Sequence, residues 1–281
     1  MDRELVSPGT LYVVASPIGN LADLSPRAGG VLAAVDLVAA EDTRRARILL
    51  GHVGAHPRLV SLHAHSSAAR IEAVLDRLRA GDAVALLTDA GTPSISDPGG
   101  ELVGRARAAG APVISIPGPS AVTAALSVSG LPADRYQFLG FLPRKGPGRR
   151  RLVERVAQSE WSAVVFEAGN RLVATLEDLA AACGGDRMAV VARELTKVHE
   201  ETRHGTLPEL AGYYREQPPR GEVTIVIAGG AEPAAAPDPG AARARAQRLL
   251  ADGLTRRDAA ERLAGELGLS RNRAYALVAK L

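Results

Sequence analysis

The chain has 281 residues, 46% hydrophobic and 23% charged, a composition typical of a globular protein of about two domains. Its single cysteine, Cys183, excludes an internal disulfide and a cysteine-rich metal site. No uncharged apolar stretch reaches the roughly 18 residues of a membrane span, and the charged amino terminus lacks the apolar core of a signal sequence. We therefore expect a cytoplasmic protein that does not insert into a membrane.

The first 130 residues alternate short apolar runs with helical patterns, which predicts an α/β domain with a mainly parallel sheet. The runs are continuously apolar, as strands buried on both faces should be. The predicted strands are 11–15, 37–40, 59–62, 84–87 and 113–116, and the predicted helices are 26–35, 68–79, 101–109 and 121–129.

Residues 131–230 predict a second α/β domain, in which fewer strands follow a regular strand–helix–strand order. We expect a smaller, mixed sheet here. The predicted strands are 137–142, 163–167, 188–193 and 222–228, and the predicted helices are 149–158, 172–183 and 207–216.

Residues 231–241 are rich in proline and alanine and predict a linker. Residues 242–281 follow as a basic helical tail, in which Gly268 as a C-cap and Ser270 as an N-cap indicate a helix-turn-helix. Nine basic and four acidic residues give 241–281 a net charge of +5, whereas the whole chain carries +3. This asymmetry favours a polyanionic partner, and the alternatives are a packing bundle and a dimer contact.

Four turn segments, at 16–21, 41–44, 88–99 and 117–121, each follow a predicted strand. Loops at the carboxyl ends of parallel strands converge on one crevice, so we expect these segments to meet in space and bind a ligand. A plain turn is the alternative for the first segment, and a rigid structural elbow around Gly118 is the alternative for the fourth. The sequence contains no Gly-x-Gly-x-x-Gly loop, which argues against an ordinary dinucleotide site.

The second and third segments carry the polar groups. Glu41 and Asp42 place two carboxylates beyond a buried strand, and a helix cap explains only one of them. In the third segment, Gly91 and its small neighbours expose backbone groups to a ligand. Asp97 followed by Pro98 predicts an N-cap and the first residue of a helix, a structural role.

A basic segment follows the first strand of the second domain. Five cations lie beside a Gly-Pro-Gly sequence and predict a mobile loop that tracks RNA phosphates, with a solvated loop as the alternative. These cations are Arg144, Lys145, Arg149, Arg150 and Arg151.

In order along the chain, these motifs resemble the ribosomal RNA small subunit methyltransferase I family, a branch of the tetrapyrrole methylase superfamily. The resembling motifs are Pro-Ile-Gly-Asn-Leu-Ala-Asp at 17–23, Glu-Asp-Thr-Arg at 41–44, Asp-Ala-Gly-Thr-Pro at 89–93, Ser-Asp-Pro-Gly at 96–99, Pro-Gly-Pro-Ser-Ala at 117–121 and Ala-Arg-Glu-Leu-Thr-Lys at 192–197. The resemblance covers about 9–230. One segment departs from it: where the family has Glu-Ser-Pro-x-Arg, this chain reads Glu-Ala-Gly-Asn-Arg at 167–171.

The resemblance implies two α/β domains of the tetrapyrrole methylase type, with S-adenosyl-L-methionine bound in the cleft between them. It implies 2′-O-methylation of a cytidine in 16S rRNA on the small ribosomal subunit, a homodimer, and no metal. A tetrapyrrole C-methyltransferase of the same fold is the closest alternative. A catalytically inactive RNA-binding module is the alternative from another class.

We assign candidate roles on this basis. The candidate catalytic residues are Glu41, Arg44, Glu194 and Lys197. The candidate donor-binding residues are Pro17, Gly19, Asn20, Asp89, Ala90, Gly91, Thr92, Pro117, Gly118 and Ser120. A ribose hydroxyl is a poor nucleophile, so a carboxylate should accept its proton, and Glu41, Asp89 and Glu194 are the candidates.

Overall fold

The first sheet is built from five short strands that pair in parallel in the order β3-β2-β4-β1-β5. The structure is a computed structural model that describes residues 5–63, 66–230, 239–267 and 271–281. The strands are β1 (Leu11–Val14), β2 (Leu37–Ala40), β3 (Arg58–Ser61), β4 (Val84–Leu87) and β5 (Val113–Ile116). The bounds agree with the predicted runs to within one residue, and the parallel pairing of all neighbours confirms the predicted parallel sheet.

Helices cover both faces of this sheet because successive strand residues point to opposite sides. In β2, Val38 and Ala40 pack towards the helices α1 (Pro26–Ala34) and α2 (Thr43–His52). Leu37 and Ala39 pack towards α3 (Ala68–Arg79) and α4 (Gly100–Ala108) on the other face. Local sequence starts α1 clearly, since Ser25 accepts a hydrogen bond from the backbone N–H of Ala28 and Pro26 occupies the first turn.

The second sheet is mixed, as predicted, with the order β6-β7-β10-β8-β9. β6 and β7 are parallel and the other pairs are antiparallel. The strands are β6 (Tyr136–Phe141), β7 (Ser162–Ala168), β8 (Met188–Arg193), β9 (Glu201–Thr206) and β10 (Glu222–Ile227). The helices α6 (Pro147–Gln158), α7 (Leu172–Cys183) and α8 (Leu207–Glu216) pack on one of its faces.

Helix α5 (Ala121–Ser129) follows β5 of the first sheet but packs on the free face of the second. Its residues Val122 and Leu126 share a buried cluster with Val164, Val190 and Val226. Ile18 of the loop after β1 packs against the same cluster, so this cluster joins the end of the first domain to the second sheet.

The carboxyl-terminal tail forms three helices, α9 (Pro239–Ala251), α10 (Arg256–Leu267) and α11 (Arg271–Ala279). Their apolar residues, among them Leu249, Leu263 and Val278, form a buried cluster of their own. The described residues contain no helix long and apolar enough to cross a membrane.

Several sequence predictions need correction. The second sheet is not smaller, because β9 gives it five strands. Asp97 is not an N-cap, since α4 begins at Gly100 after a left-handed Gly99. The predicted basic loop ends at Gly146, because Pro147 starts α6, and the predicted linker is too long, because α9 begins at Pro239. The proposed caps Gly268 and Ser270 lie outside the described residues.

Candidate active site

The four predicted ligand-binding segments leave one rim of the first sheet. They follow β1, β2, β4 and β5, and these strands are consecutive neighbours in the order β2-β4-β1-β5. Parallel strands end at the same edge, so sheet order alone gathers segments that are distant in sequence.

Backbone contacts lock three of these loops together. The backbone N–H of Ser16 donates to Gly91 O at 2.9 Å, and that of Gly91 donates to Ser16 O at 3.1 Å. Gly91 has a φ of 78°, and a Cβ there would lie 3.5 Å from Ile18 Cγ2 and 3.8 Å from Pro119 O. Gly118 sits equally close to β1, since a Cβ would come within 3.0 Å of the Ala15 Cβ. Small residues at these positions permit the close approach.

The β2 and β4 loops are joined through carboxylates. The Thr88 hydroxyl donates to Glu41 Oε2 at 2.8 Å. The backbone N–H of Asp42 donates to Asp89 Oδ1 at 3.1 Å, and Arg45 Nη1 lies 3.4 Å from Asp89 Oδ2. Glu41 and Asp89 thus hold fixed positions at the rim.

A third carboxyl, Asp97, belongs to the same group. Burial and, next, the charge of Glu41 raise its pKa to about 6, and a hydrogen bond with Thr88 acts in the opposite direction. Burial and Glu41 also raise the pKa of Asp89. Sequence reasoning missed Asp97 because Asp-Pro resembles a helix start, and its distance from Glu41 along the chain hides their proximity.

The second domain contributes the loop after β8. A Cβ on Gly19 would lie 2.7 Å from Lys197 Cγ and 2.8 Å from Leu195 O, so this loop presses directly on the β1 loop. Lys197 Nζ lies 2.9 Å from Glu194 Oε1. The structure therefore brings the predicted residues Gly19, Glu194 and Lys197 together across the domain boundary.

Backbone strain concentrates at this junction. In the described part of the chain, the non-glycine residues with positive φ are Ser94, Ser96, Glu194 and Thr196. Such conformations cost on the order of 1–3 kcal/mol each and cluster at functional sites. Two hydroxyls at the same places, Ser94 Oγ and Thr196 Oγ1, are buried without a hydrogen-bond partner among the described residues.

A cavity of about 190 Å³ opens between the β1, β2 and β4 loops. Its lining includes Ser16, Pro17, Glu41, Thr88 and Asp89. Pockets that enclose a whole small ligand usually have about 300–1,000 Å³, so this cavity holds only part of such a ligand, and the remainder lies along the adjoining cleft.

Other predicted residues lie at the rim, and those that make a side-chain contact make it within their own segment. Asn20 accepts a hydrogen bond from Ala22 N and caps a short 3₁₀ helix. Arg44 pairs with Asp42 in solvent, and this guanidinium holds the pKa of the Asp42 carboxyl well below its usual range. The Ser120 hydroxyl makes no cap hydrogen bond at the start of α5. The backbone of Ala90, Thr92 and Pro117 runs along the same loops.

The five predicted RNA-contacting cations divide into two groups. Arg144, Lys145, Arg150 and Arg151 are exposed. Arg149 is only 9% exposed, and its guanidinium donates to Asp178 Oδ2, Thr175 Oγ1 and Pro143 O. The guanidinium of Arg149 is therefore bonded within the protein, unlike the four exposed cations.

Arg149 is part of a buried polar network around Glu167, which is fully buried. Glu167 accepts hydrogen bonds from Thr175 Oγ1 and from the backbone N–H of Ala168, and lies 3.2 Å from Arg171 Nε. The network links β7, α6 and α7. Within the described residues, no group of three His, Cys, Asp or Glu side chains is placed to hold a metal ion.

The departure from the family pattern at 168–169 has a structural basis. Gly169 donates its backbone N–H to Gly221 O at 2.7 Å, a bond that proline cannot make. A Cβ at this position would lie 2.3 Å from Pro219 O. Glycine therefore lets the 217–221 loop pack tightly against the end of β7.

Sequence comparison identifies relatives along most of the chain. A family model described as Tetrapyrrole (Corrin/Porphyrin) Methylases matches residues 10–211. Ribosomal RNA small subunit methyltransferase I of Synechocystis sp. is 46% identical over 275 residues, covering 97% of this chain and 98% of the relative. The proteins of the same name from Xylella fastidiosa strain Temecula1 and Pseudomonas aeruginosa are 47% and 43% identical, over 82% and 96% of this chain and 85% and 96% of their own lengths.

Solved structures share the fold at lower identity. Cobalt precorrin-4 methyltransferase matches with a TM-score of 0.59 at 17% identity, over 81% of this chain and 97% of that chain. Uroporphyrin-III C-methyl transferase from Thermus thermophilus, complexed with S-adenyl homocysteine, matches with a TM-score of 0.56 at 21% identity, over 77% and 96%. Both confirm the two-domain α/β architecture.

Proposed function

Because the chain belongs to the ribosomal RNA small subunit methyltransferase I family of the tetrapyrrole methylases, we propose that it methylates the ribose 2′-oxygen of a cytidine in 16S rRNA, with S-adenosylmethionine as methyl donor. The observation that carries the proposal is the contact of the Gly19 loop with the loop of Glu194 and Lys197, at the rim that also carries the carboxylates Glu41, Asp89 and Asp97. The enzyme is a methyltransferase by its family, and the nucleotide and the atom it modifies are the proposed part.

The residues at the junction fit the donor's chemistry. S-adenosylmethionine supplies an electrophilic methyl carbon on a positively charged sulfur, together with ribose hydroxyls that suit carboxylate acceptors. Glu41 and Asp89 provide such acceptors beside the cavity of about 190 Å³. The buried, unpartnered hydroxyls of Ser94 and Thr196 offer further hydrogen bonds on either side of the cleft. Gly91 and Gly118 have no side chain, and we propose that the donor contacts their backbone directly.

The protein's task in the reaction is orientation and proton removal. Methyl transfer to oxygen requires the nucleophile, the methyl carbon and the sulfur to lie in line, and the rigid rims supply this alignment. We assign Asp97 as the acceptor of the ribose hydroxyl proton, because a carboxyl with a pKa of about 6 is ionised at neutral pH yet more basic than an ordinary aspartate. Glu41, which Thr88 holds by a hydrogen bond, raises the pKa of Asp97 through its charge. We assign Glu194 and Lys197 to positioning the ribose and its phosphate.

The RNA would approach over exposed cations. Arg144, Lys145, Arg150 and Arg151 lie before and within the first turns of α6. The tail adds exposed arginines, Arg243, Arg248, Arg256 and Arg257, on a three-helix bundle with its own core. Together these suit the counterion-release binding that phosphate backbones favour. A cytoplasmic homodimer is part of the same proposal.

The decisive experiment measures methyl transfer by the purified protein from labelled S-adenosylmethionine. Small ribosomal subunits from a strain lacking the gene, free 16S rRNA and uroporphyrinogen serve as parallel acceptors. We expect label in the RNA, at a ribose 2′-oxygen of a cytidine when modified positions are mapped. Label in uroporphyrinogen instead would identify a tetrapyrrole methyltransferase. Absence of donor binding by calorimetry, with RNA binding retained, would identify an inactive RNA-binding module.

A further inference from the structure

A second cavity lies in the second domain, and two of its lining residues, Arg193 and Glu194, belong to the motif at 192–197. It has a volume of about 490 Å³ and opens between the end of β8, the start of β9, the end of α8 and the 217–221 loop. Glu194 and Gly221 form its edge towards the candidate active site. Its lining also includes Arg193, Glu201, Tyr213, Tyr214 and Arg220.

Tyr214 is the unusual member of this lining. Its side chain is 1% exposed and its ring packs in the core beneath α8, yet its hydroxyl has no hydrogen-bond partner among the described residues. A buried polar group without a partner costs about 1–3 kcal/mol. Phenylalanine would fill the same space without that cost, so the structure alone gives no reason for the hydroxyl.

The groups around Tyr214 combine cations with aromatic surface. Arg193 and Arg203 both pair with Glu201, and the Arg203 guanidinium lies 3.5 Å from the centroid of the Tyr213 ring. Arg220 is exposed on the 217–221 loop at the mouth of the cavity. Single-stranded RNA is recognised by stacking on aromatic or guanidinium planes, hydrogen bonds to base edges and cationic contacts to phosphate.

We propose that this cavity binds one unstacked nucleotide of the RNA substrate, with the Tyr214 hydroxyl donating a hydrogen bond to it and Arg220 facing its phosphate. The proposal rests on the proposed function and adds a binding subsite to it. The cavity's volume is within the range of about 300–1,000 Å³ that is usual for small-ligand sites. Because the cavity shares Glu194 with the candidate active site, the nucleotide that it binds is either the methylated nucleotide or its neighbour in the RNA.

Protonation of Tyr214 is secure under the assay conditions. Burial and, next, the charge of Glu201 raise the pKa of its hydroxyl to about 12. The charges of Arg193 and Arg203 act in the opposite direction. The hydroxyl therefore remains a hydrogen-bond donor at neutral pH, which suits an acceptor oxygen or nitrogen on a base or ribose.

The test compares Tyr214→Phe with Tyr12→Phe. Tyr12 is also buried, but its hydroxyl accepts a hydrogen bond of 2.7 Å from the backbone N–H of Ser7, far from the cavity. For Tyr214→Phe we expect an unchanged or raised melting temperature, an unchanged affinity for S-adenosylmethionine, and a KM for small ribosomal subunits raised about 5–10-fold, the equivalent of one lost hydrogen bond. For Tyr12→Phe we expect a lower melting temperature and an unchanged KM.

Two outcomes would overturn the subsite. An unchanged KM in Tyr214→Phe would show that the hydroxyl does not contact the substrate. A melting temperature lowered as in Tyr12→Phe would show that the hydroxyl serves the free fold, for example through a buried water. Either result leaves RNA methylation by the parent protein intact, whereas a parent protein that does not methylate RNA contradicts the proposed function itself.

Discussion

Two groups of buried or half-buried carboxylates in this molecule are treated in opposite ways. Glu167 is enclosed by Thr175, Arg171 and a backbone N–H, so its charge is matched by donors. Asp97 lies near Glu41 and Asp89 in the cleft, where burial and like charge raise its pKa to about 6. The first arrangement stabilises the fold, whereas the second maintains a group that gains or loses a proton near neutral pH.

The backbone follows the same division. The left-handed residues Ser94, Ser96, Glu194 and Thr196 all lie at the cleft, and none belongs to the network of Glu167. Strain of this kind persists only where the surrounding structure enforces it. The strained residues of the cleft are thus held in place by the packing around them.

The largest effect should come from removing the carboxylate of Glu167. Alanine leaves Arg171 and Thr175 in a poorly solvated site without the carboxylate that they contact, and loss of one partner of a buried pair costs about 3–5 kcal/mol. Urea unfolding monitored by circular dichroism measures this change. Glu177→Ala is the control, because its pair with Arg215 is exposed and should contribute less than about 1 kcal/mol. Equal losses of unfolding free energy in Glu167→Ala and Glu177→Ala would show that the buried Glu167 contributes no more to stability than an exposed ion pair.

Asp97→Asn should show the reverse pattern. We expect the methylation rate to fall about 100-fold or more, the usual contribution of a general base, with folding stability unchanged or increased. Asp76→Asn on the exposed face of α3 is the control and should retain the full rate. A variant Asp97→Asn with a normal rate would assign proton removal to another group.

The pH dependence sharpens this prediction. The parent enzyme should gain activity as pH rises through about 6, since the ionised Asp97 accepts the proton. The pKa of Asp97 is raised in the folded state, so its contribution to stability is present below the ordinary pKa of aspartate and is lost as pH rises through about 6. Asp97→Asn should flatten both profiles over this interval.

The smallest effects should separate Arg149 from its neighbours. Arg149→Met removes hydrogen bonds to Asp178 and Thr175 and should cost about 1.5–3 kcal/mol of stability with little change in RNA affinity. Arg150→Met should leave stability unchanged and reduce the slope of log affinity against log salt concentration by about 0.7–0.9. Filter binding to small subunits at several salt concentrations and urea unfolding measure the two. If Arg150→Met lowered stability and Arg149→Met reduced the salt dependence, the assignment of Arg149 to the fold and Arg150 to RNA binding would be wrong.

Much of the fold follows from sequence because buried strands are continuously apolar. The predicted bounds of β2, β4, β5 and β8 match the structure to the residue, as do those of α3, α5, α7 and α8. β9 was missed because its sequence, Glu-Thr-Arg-His-Gly-Thr, has no apolar alternation: it is an edge strand whose residues are stabilised by pairing with β8. α2 was missed because its first residues, Thr43 and Arg44, belong to the Glu-Asp-Thr-Arg motif, which was interpreted as a functional loop.

The site was predictable to the extent that it depends on strand ends. Sheet order brings the loops of Gly19, Glu41, Gly91 and Gly118 to one rim, and the motifs mark those loops. The raised pKa of Asp97 arises from burial and from groups distant in sequence, so it has no local signal. The same applies to Arg149, which differs from Arg150 in burial and not in sequence context.

Helix α5 restricts how natural or laboratory recombination can exchange the two halves of such a protein. The sequence places a proposed boundary at residue 130, but Val122 and Leu126 before that point pack against Val190 and Val226 beyond it. A crossover at 130 between two relatives would therefore join one parent's helix to the other parent's sheet. A crossover between β5 and Gly118 would instead separate the Gly118 elbow from Ala15, the residue after β1 that it touches. Residues on both sides of the join must then change together, which couples the inheritance of the two halves.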